Sequence, residues 1–151
     1  MNGFDLVFVI CATLLNLFVI AIYISEKLGK MKLVRTLGIC VLALTIPFLV
    51  VFIAYLFAGK ELKILLVFPA IFLYMFLELL WDYLLKVDFR SKPLLHIPYI
   101  ILFYIVLFGN IAIAFGINRT WGWVVSITFW MLLAALVFSL IKPPIKPKSK
   151  T

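Results

Sequence analysis

The residues with the most chemical capacity are Tyr74, Glu78, Asp82 and Lys86, spaced by four within an otherwise apolar stretch, residues 71–86. On an α-helix that spacing sets them roughly in line along one face. An acidic residue at the centre of a membrane-spanning helix costs about 2.5–3.5 kcal/mol on insertion scales. It persists where another helix, a water-filled crevice or a ligand compensates for it. Glu78 precedes Lys86 by eight residues, which sets it about 12 Å deep at 1.5 Å per residue. Two carboxylates one turn apart oppose each other's ionisation, and desolvation acts in the same direction. Glu78 is therefore expected to be neutral and able to donate a hydrogen bond. Asp82 has Lys86 four residues on, in the favourable order for an ion pair, and is expected to stay ionised. This chemistry suits a proton, a cation or an amine headgroup. Tyr74 completes the ladder, and Asn16, Thr45 and His96 are candidates from neighbouring segments. A plainer reading uses the same residues: Glu78 bonds Asn16 or a backbone carbonyl and fixes helix packing, while Asp82 snorkels to the interface with Lys86.

These groups must be positioned by membrane-spanning helices. Of the 151 residues, 67% are hydrophobic, and the mean hydropathy is +1.26. A soluble domain has roughly 45–50% apolar residues. The excess runs along the whole chain, and a spanning helix needs about 20 apolar residues. The pattern predicts an all-α integral membrane protein with five transmembrane helices, at about 4–25, 34–58, 64–85, 94–117 and 121–141, in one domain. Residues 142–151 form a basic, proline-rich tail. The first apolar run has no basic region before it and is long enough to span, so it is expected to be retained. Pro47 predicts a kink in the second helix, since it lacks a backbone donor and clashes with the carbonyl one turn back. Ala112 and Gly116, four apart, predict close helix contact or self-association through the fourth helix.

Charge sets the expected topology. The net charge is +8. Eleven of the 14 Lys and Arg fall on one side of the predicted spans, and Lys60, Lys63 and Arg119 on the other. With short loops, the positive-inside rule puts the N-terminus outside and the C-terminus in the cytoplasm, as a multi-pass protein of a cell inner or plasma membrane. The basic residues lie in connections and tail, where they meet anionic headgroups. They make no face large enough to track phosphates, so nucleic acid is not expected as a partner.

Enzyme chemistry has little support. The chain has one histidine and lacks HExxH, GxSxG and a glycine-rich phosphate loop. Cys11 and Cys40 lie in apolar runs and read as small core residues. Two cysteines and one histidine do not make a zinc set, and neither a metal nor a cofactor is expected. Tyr23, Trp81, Tyr83, Tyr99, Trp121 and Trp123 read as interfacial aromatic belts without a ligand role. Three functions compete. One is a proton, cation or small cationic ligand binder or transporter using Glu78. The second is a non-catalytic accessory or assembly subunit. The third is a small lipid-modifying enzyme using Asp82, Asp88 and His96 at the cytoplasmic interface.

Overall fold

The computed structural model describes residues 2–85 and 93–141, and their side chains except at residue 82 and residues 93–96. Lys86, Asp88 and the basic tail lie outside the described residues, as do the side chains of Asp82 and His96. Among the described residues the structure is all-helical, and five helices are long and apolar enough to cross a membrane.

The first span, Gly3–Lys27, starts on a reciprocal cap. Asn2 accepts from the Asp5 backbone N–H, and Asp5 accepts from that of Asn2, which satisfies two otherwise orphaned donors. The second span, Met31–Phe57, is broken into Met31–Ala43 and Thr45–Phe57. The break at Leu44 comes three residues before Pro47, where the ring meets the Ala43 carbonyl and no N–H returns the bond. The third span, Leu62–Trp81, repeats the device. It consists of Leu62–Leu65 and Val67–Glu78, with a break at Leu66 three residues before Pro69, and a π-helical segment, Leu79–Leu84, follows. The fourth helix, Pro93–Ile117, carries Pro98 near its start. The fifth is Arg119–Ile141. Gly29 (φ +69°) and Gly59 (φ +63°) turn the chain after the first and second spans in a conformation that other residues resist.

The spans alternate in direction and close into a ring. Each packs on its neighbours in sequence, and the first closes against the fifth. One end is filled by aromatic rings. Phe8, Phe48, Tyr55 and Phe68 are all buried, with Phe8 in edge contact with Phe48 at 6.0 Å and with Phe68 at 5.9 Å. Between faces this uniformly apolar, close packing and interhelical hydrogen bonds decide which surfaces meet. The opposite end, where the first, third and fifth spans finish, is not filled in this way and holds the cavity described next.

Ala112 and Gly116 lie on the outer face of the fourth helix. Both are exposed, and a Cβ built on Gly116 meets nothing within 4 Å. The buried stripe of the fourth helix runs through Phe103, Val106, Leu107, Asn110 and Ala114.

Candidate functional site

A cavity of about 500 Å³ opens between the first, third, fourth and fifth spans and reaches Glu78. That is within the range of about 300–1,000 Å³ usual for small-molecule sites. The first span contributes Val19, Ile22, Tyr23, Glu26 and Lys27, and the third contributes Tyr74 and Glu78. Tyr99, Ile100, Phe103 and Tyr104 come from the fourth, and Leu136, Ser139 and Leu140 from the fifth. The lining is therefore a sleeve of aliphatic and aromatic side chains with a few polar groups set into it.

Glu78 is the most buried of the acidic and basic side chains that the first span and the third bring to the lining, at 6% exposed. The Tyr99 hydroxyl donates to Glu78 Oε2, and it lies 3.4 Å from the Tyr74 hydroxyl. The rings of Tyr74 and Tyr99 pack at 5.5 Å between centroids, Tyr74 and Phe103 at 5.3 Å, and Trp81 and Tyr99 at 5.9 Å. Tyr99, the residue that bonds Glu78, thus belongs to a run of four packed aromatic rings. Tyr99 is not a belt residue, because its hydroxyl turns inward to the carboxylate of the facing helix.

A second carboxylate, Glu26, lines the cavity. The ammonium of its neighbour Lys27 is drawn off to the fifth span, where it donates to the Phe138 carbonyl and sits 3.3 Å from the Phe138 ring centroid. A cation over an aromatic face gains from the ring quadrupole. Among the described residues, the lining thus carries Glu26 and Glu78 among tyrosines, and Lys27 reaches to the fifth span.

The backbone below Glu78 departs from the straight ladder. In the π-helical segment the bonds run to the fifth residue back, as in Leu85 N–H to the Leu80 carbonyl at 2.8 Å. An extra residue enters the turn, so Asp82 no longer follows Glu78 by one α-helical turn. The segment is tied to the second span by the Tyr83 hydroxyl, which donates to the Arg35 carbonyl at 2.9 Å. Gly38 makes this contact possible: a Cβ there would sit 2.2 Å from the Tyr83 hydroxyl oxygen.

Of the candidates read from sequence, Tyr74 and Glu78 lie together in the cavity wall. Asn16 does not join them. Its Nδ2 donates to Thr128 Oγ1 at 2.9 Å and approaches the Val125 carbonyl at 3.4 Å, which ties the first span to the fifth deeper in the bundle. Thr45 lies at the Pro47 break of the second span, outside the lining. Sequence reasoning missed Tyr99, Glu26 and Lys27 as neighbours of Glu78. Tyr99 is 21 positions away, and no spacing rule links them before the third and fourth spans pack. It also missed a polar cluster at the other end, where Tyr55 donates to Asp5 Oδ1 at 2.9 Å and Lys60 Nζ lies 3.5 Å from the same oxygen.

No family model matches this chain, and no curated protein or solved structure matches it significantly.

Proposed function

We propose that this is a small multi-pass protein of a cell inner or plasma membrane, with its N-terminus outside and its C-terminus in the cytoplasm. In this reading it binds a small cationic ligand at Glu78 and passes it between the cytoplasm and the membrane. The observation that carries the reading is the cavity of about 500 Å³ that reaches a buried carboxylate through aromatic walls. A bare proton needs no such volume. An organic ammonium uses all of it, with the carboxylate for charge, ring faces for cation–π contact and aliphatic walls for its carbon substituents. The count of basic residues supports a cytoplasmic opening, because the cavity lies at the end where the first, third and fifth spans finish. Glu78, Tyr74, Tyr99 and Glu26 are the proposed binding residues.

The test is calorimetric titration of the protein in nanodiscs with tetrapropylammonium. Saturable binding is expected, with at least a tenfold loss in Glu78→Gln, equivalent to about 1.4 kcal/mol, while the melting temperature holds. Binding unchanged in Glu78→Gln, or no binding to the wild type, defeats the reading. Uptake of the same cation into proteoliposomes separates a carrier from a receptor.

A second reading, an assembly or accessory subunit, is favoured by Ala112 and Gly116, whose small side chains leave an open groove on the outer face of the fourth helix. Such spacing lets two backbones approach closely. Gly116→Leu then shifts the size of the detergent-solubilised protein towards the monomer and leaves the monomer's melting temperature unchanged. An unshifted size counts against self-association there.

A further inference from the structure

The interior of the bundle holds a further set of buried polar groups, apart from the lining of the Glu78 cavity. Asn110 is 1% exposed, yet neither Oδ1 nor Nδ2 meets a hydrogen-bond partner among the described residues. Asn16 Oδ1 and Thr13 Oγ1 are buried and unpartnered in the same sense. These four atoms come to nearly one depth. Thr128 follows Arg119 by nine residues and Asn110 precedes Ile117 by seven. The two helices meet in a single-residue turn at Asn118, so the side chains sit about 14 Å and about 10 Å from it. Asn16 is at the depth of Thr128 because the two are bonded, and Thr13 is about one helical turn nearer the Asn118 end. Asn110 lies on the inward stripe of the fourth helix, with Phe103, Val106 and Leu107. The residue one turn from each asparagine is small: Ala12 precedes Asn16 by four and Ala114 follows Asn110 by four, and both are fully buried.

We propose that Asn110, Asn16, Thr13 and Thr128 form a water-binding site in the middle of the bundle. An unpaired amide in a membrane interior costs more than it contributes, and native proteins satisfy such groups with protein or water. The orphaned set contains donors, the Asn110 amide and the Thr13 hydroxyl, as well as acceptors. A metal ion would satisfy the acceptors alone. Water satisfies both, and a buried water typically makes about three hydrogen bonds, so roughly one or two molecules complete the set. The site is independent of what binds at Glu78. It places an exchangeable hydrogen-bonding station beyond the cavity floor, since Val19 lines the cavity and Asn16 is three residues further in.

The chain has four asparagines, Asn2, Asn16, Asn110 and Asn118, which makes the test specific. Asparagine and valine are isotopically labelled, the protein is placed in bilayers, and magnetisation is transferred from water in a solid-state NMR experiment. Asn2 and Asn118 are exposed at the ends of helices and mark full hydration, while Val51, fully buried, marks a dry site. Asn110 and Asn16 are expected to build up signal at a rate near that of Asn118. A rate at the level of Val51 for Asn110 overturns the proposal. The variant Asn110→Leu gives an independent sign. If water bridges the site, leucine strands it and the melting temperature falls, by roughly 2–4 °C. If the site is dry, leucine removes an unsatisfied amide at almost constant volume and the melting temperature rises, which also overturns the proposal.

Discussion

The Tyr99 hydroxyl donates a hydrogen bond to the Glu78 carboxylate across the interface between the fourth helix and the third. It fixes the acid's position in the cavity wall and joins two helices at the end of the bundle that aromatic packing leaves open. A hydrogen bond contributes about 0.5–1.5 kcal/mol, and about 1–3 kcal/mol is lost when a buried partner is left unsatisfied. Tyr99→Phe is therefore expected to lower unfolding stability by about 1–3 kcal/mol and to weaken tetrapropylammonium binding less than Glu78→Gln does. Chemical denaturation in mixed micelles and calorimetry measure the two effects. A Phe variant as stable as the wild type would show that the hydroxyl does not hold the acid.

Gly38 and Tyr83 are predicted to be energetically coupled. Gly38→Ala puts a methyl group where the Tyr83 hydroxyl lies, so the ring must shift and release the Arg35 carbonyl. The loss is expected to be about 1 kcal/mol. In a Tyr83→Phe background the same alanine has room, and its cost should nearly vanish. A double-mutant cycle measures the coupling, and simple additivity would show that the two residues do not meet.

At the opposite end, Asp5 caps the first span and accepts from Tyr55, with Lys60 beside it. Asp5→Ala removes a cap residue and strands a buried tyrosine hydroxyl, at an expected cost of about 2 kcal/mol. Lys60 is partly exposed and its contact with Asp5 is looser. Lys60→Met should cost less than about 1 kcal/mol. Thermal melts of both variants rank the two contributions, and an equal or reversed ranking contradicts this account.

Topology is testable without reference to any ligand. With Cys11 and Cys40 replaced by alanine, a cysteine at Lys148 is expected to resist an impermeant thiol reagent applied to intact cells and to react after permeabilisation. Labelling from outside would reverse the assigned orientation, and with it the side on which the Glu78 cavity opens.

Much of the architecture was legible in the chain. Five apolar runs, each long enough to span, follow from the cost of exposing backbone groups in lipid, and that cost does not depend on what the helices pack against. The breaks before Pro47 and Pro69 follow from a missing donor within one turn, also a local property. Glu78 stood out because burial of a carboxylate is costly wherever it occurs. Its partners did not. Tyr99, Glu26 and Lys27 come from other helices, and Asn16, also polar and also buried, bonds Thr128 instead. Which face each helix turns inward is set by rotations of tens of degrees that pack large side chains such as Phe8 and Phe68, and a nearly uniform apolar surface carries little pattern to reveal them. The contact of the π-helical turn after Glu78 with another span was hidden for the same reason: the Tyr83 hydroxyl lies where a Cβ on Gly38 would sit. The cavity exists because the rings at that end line a space between four helices instead of filling it, and only the packed bundle decides that.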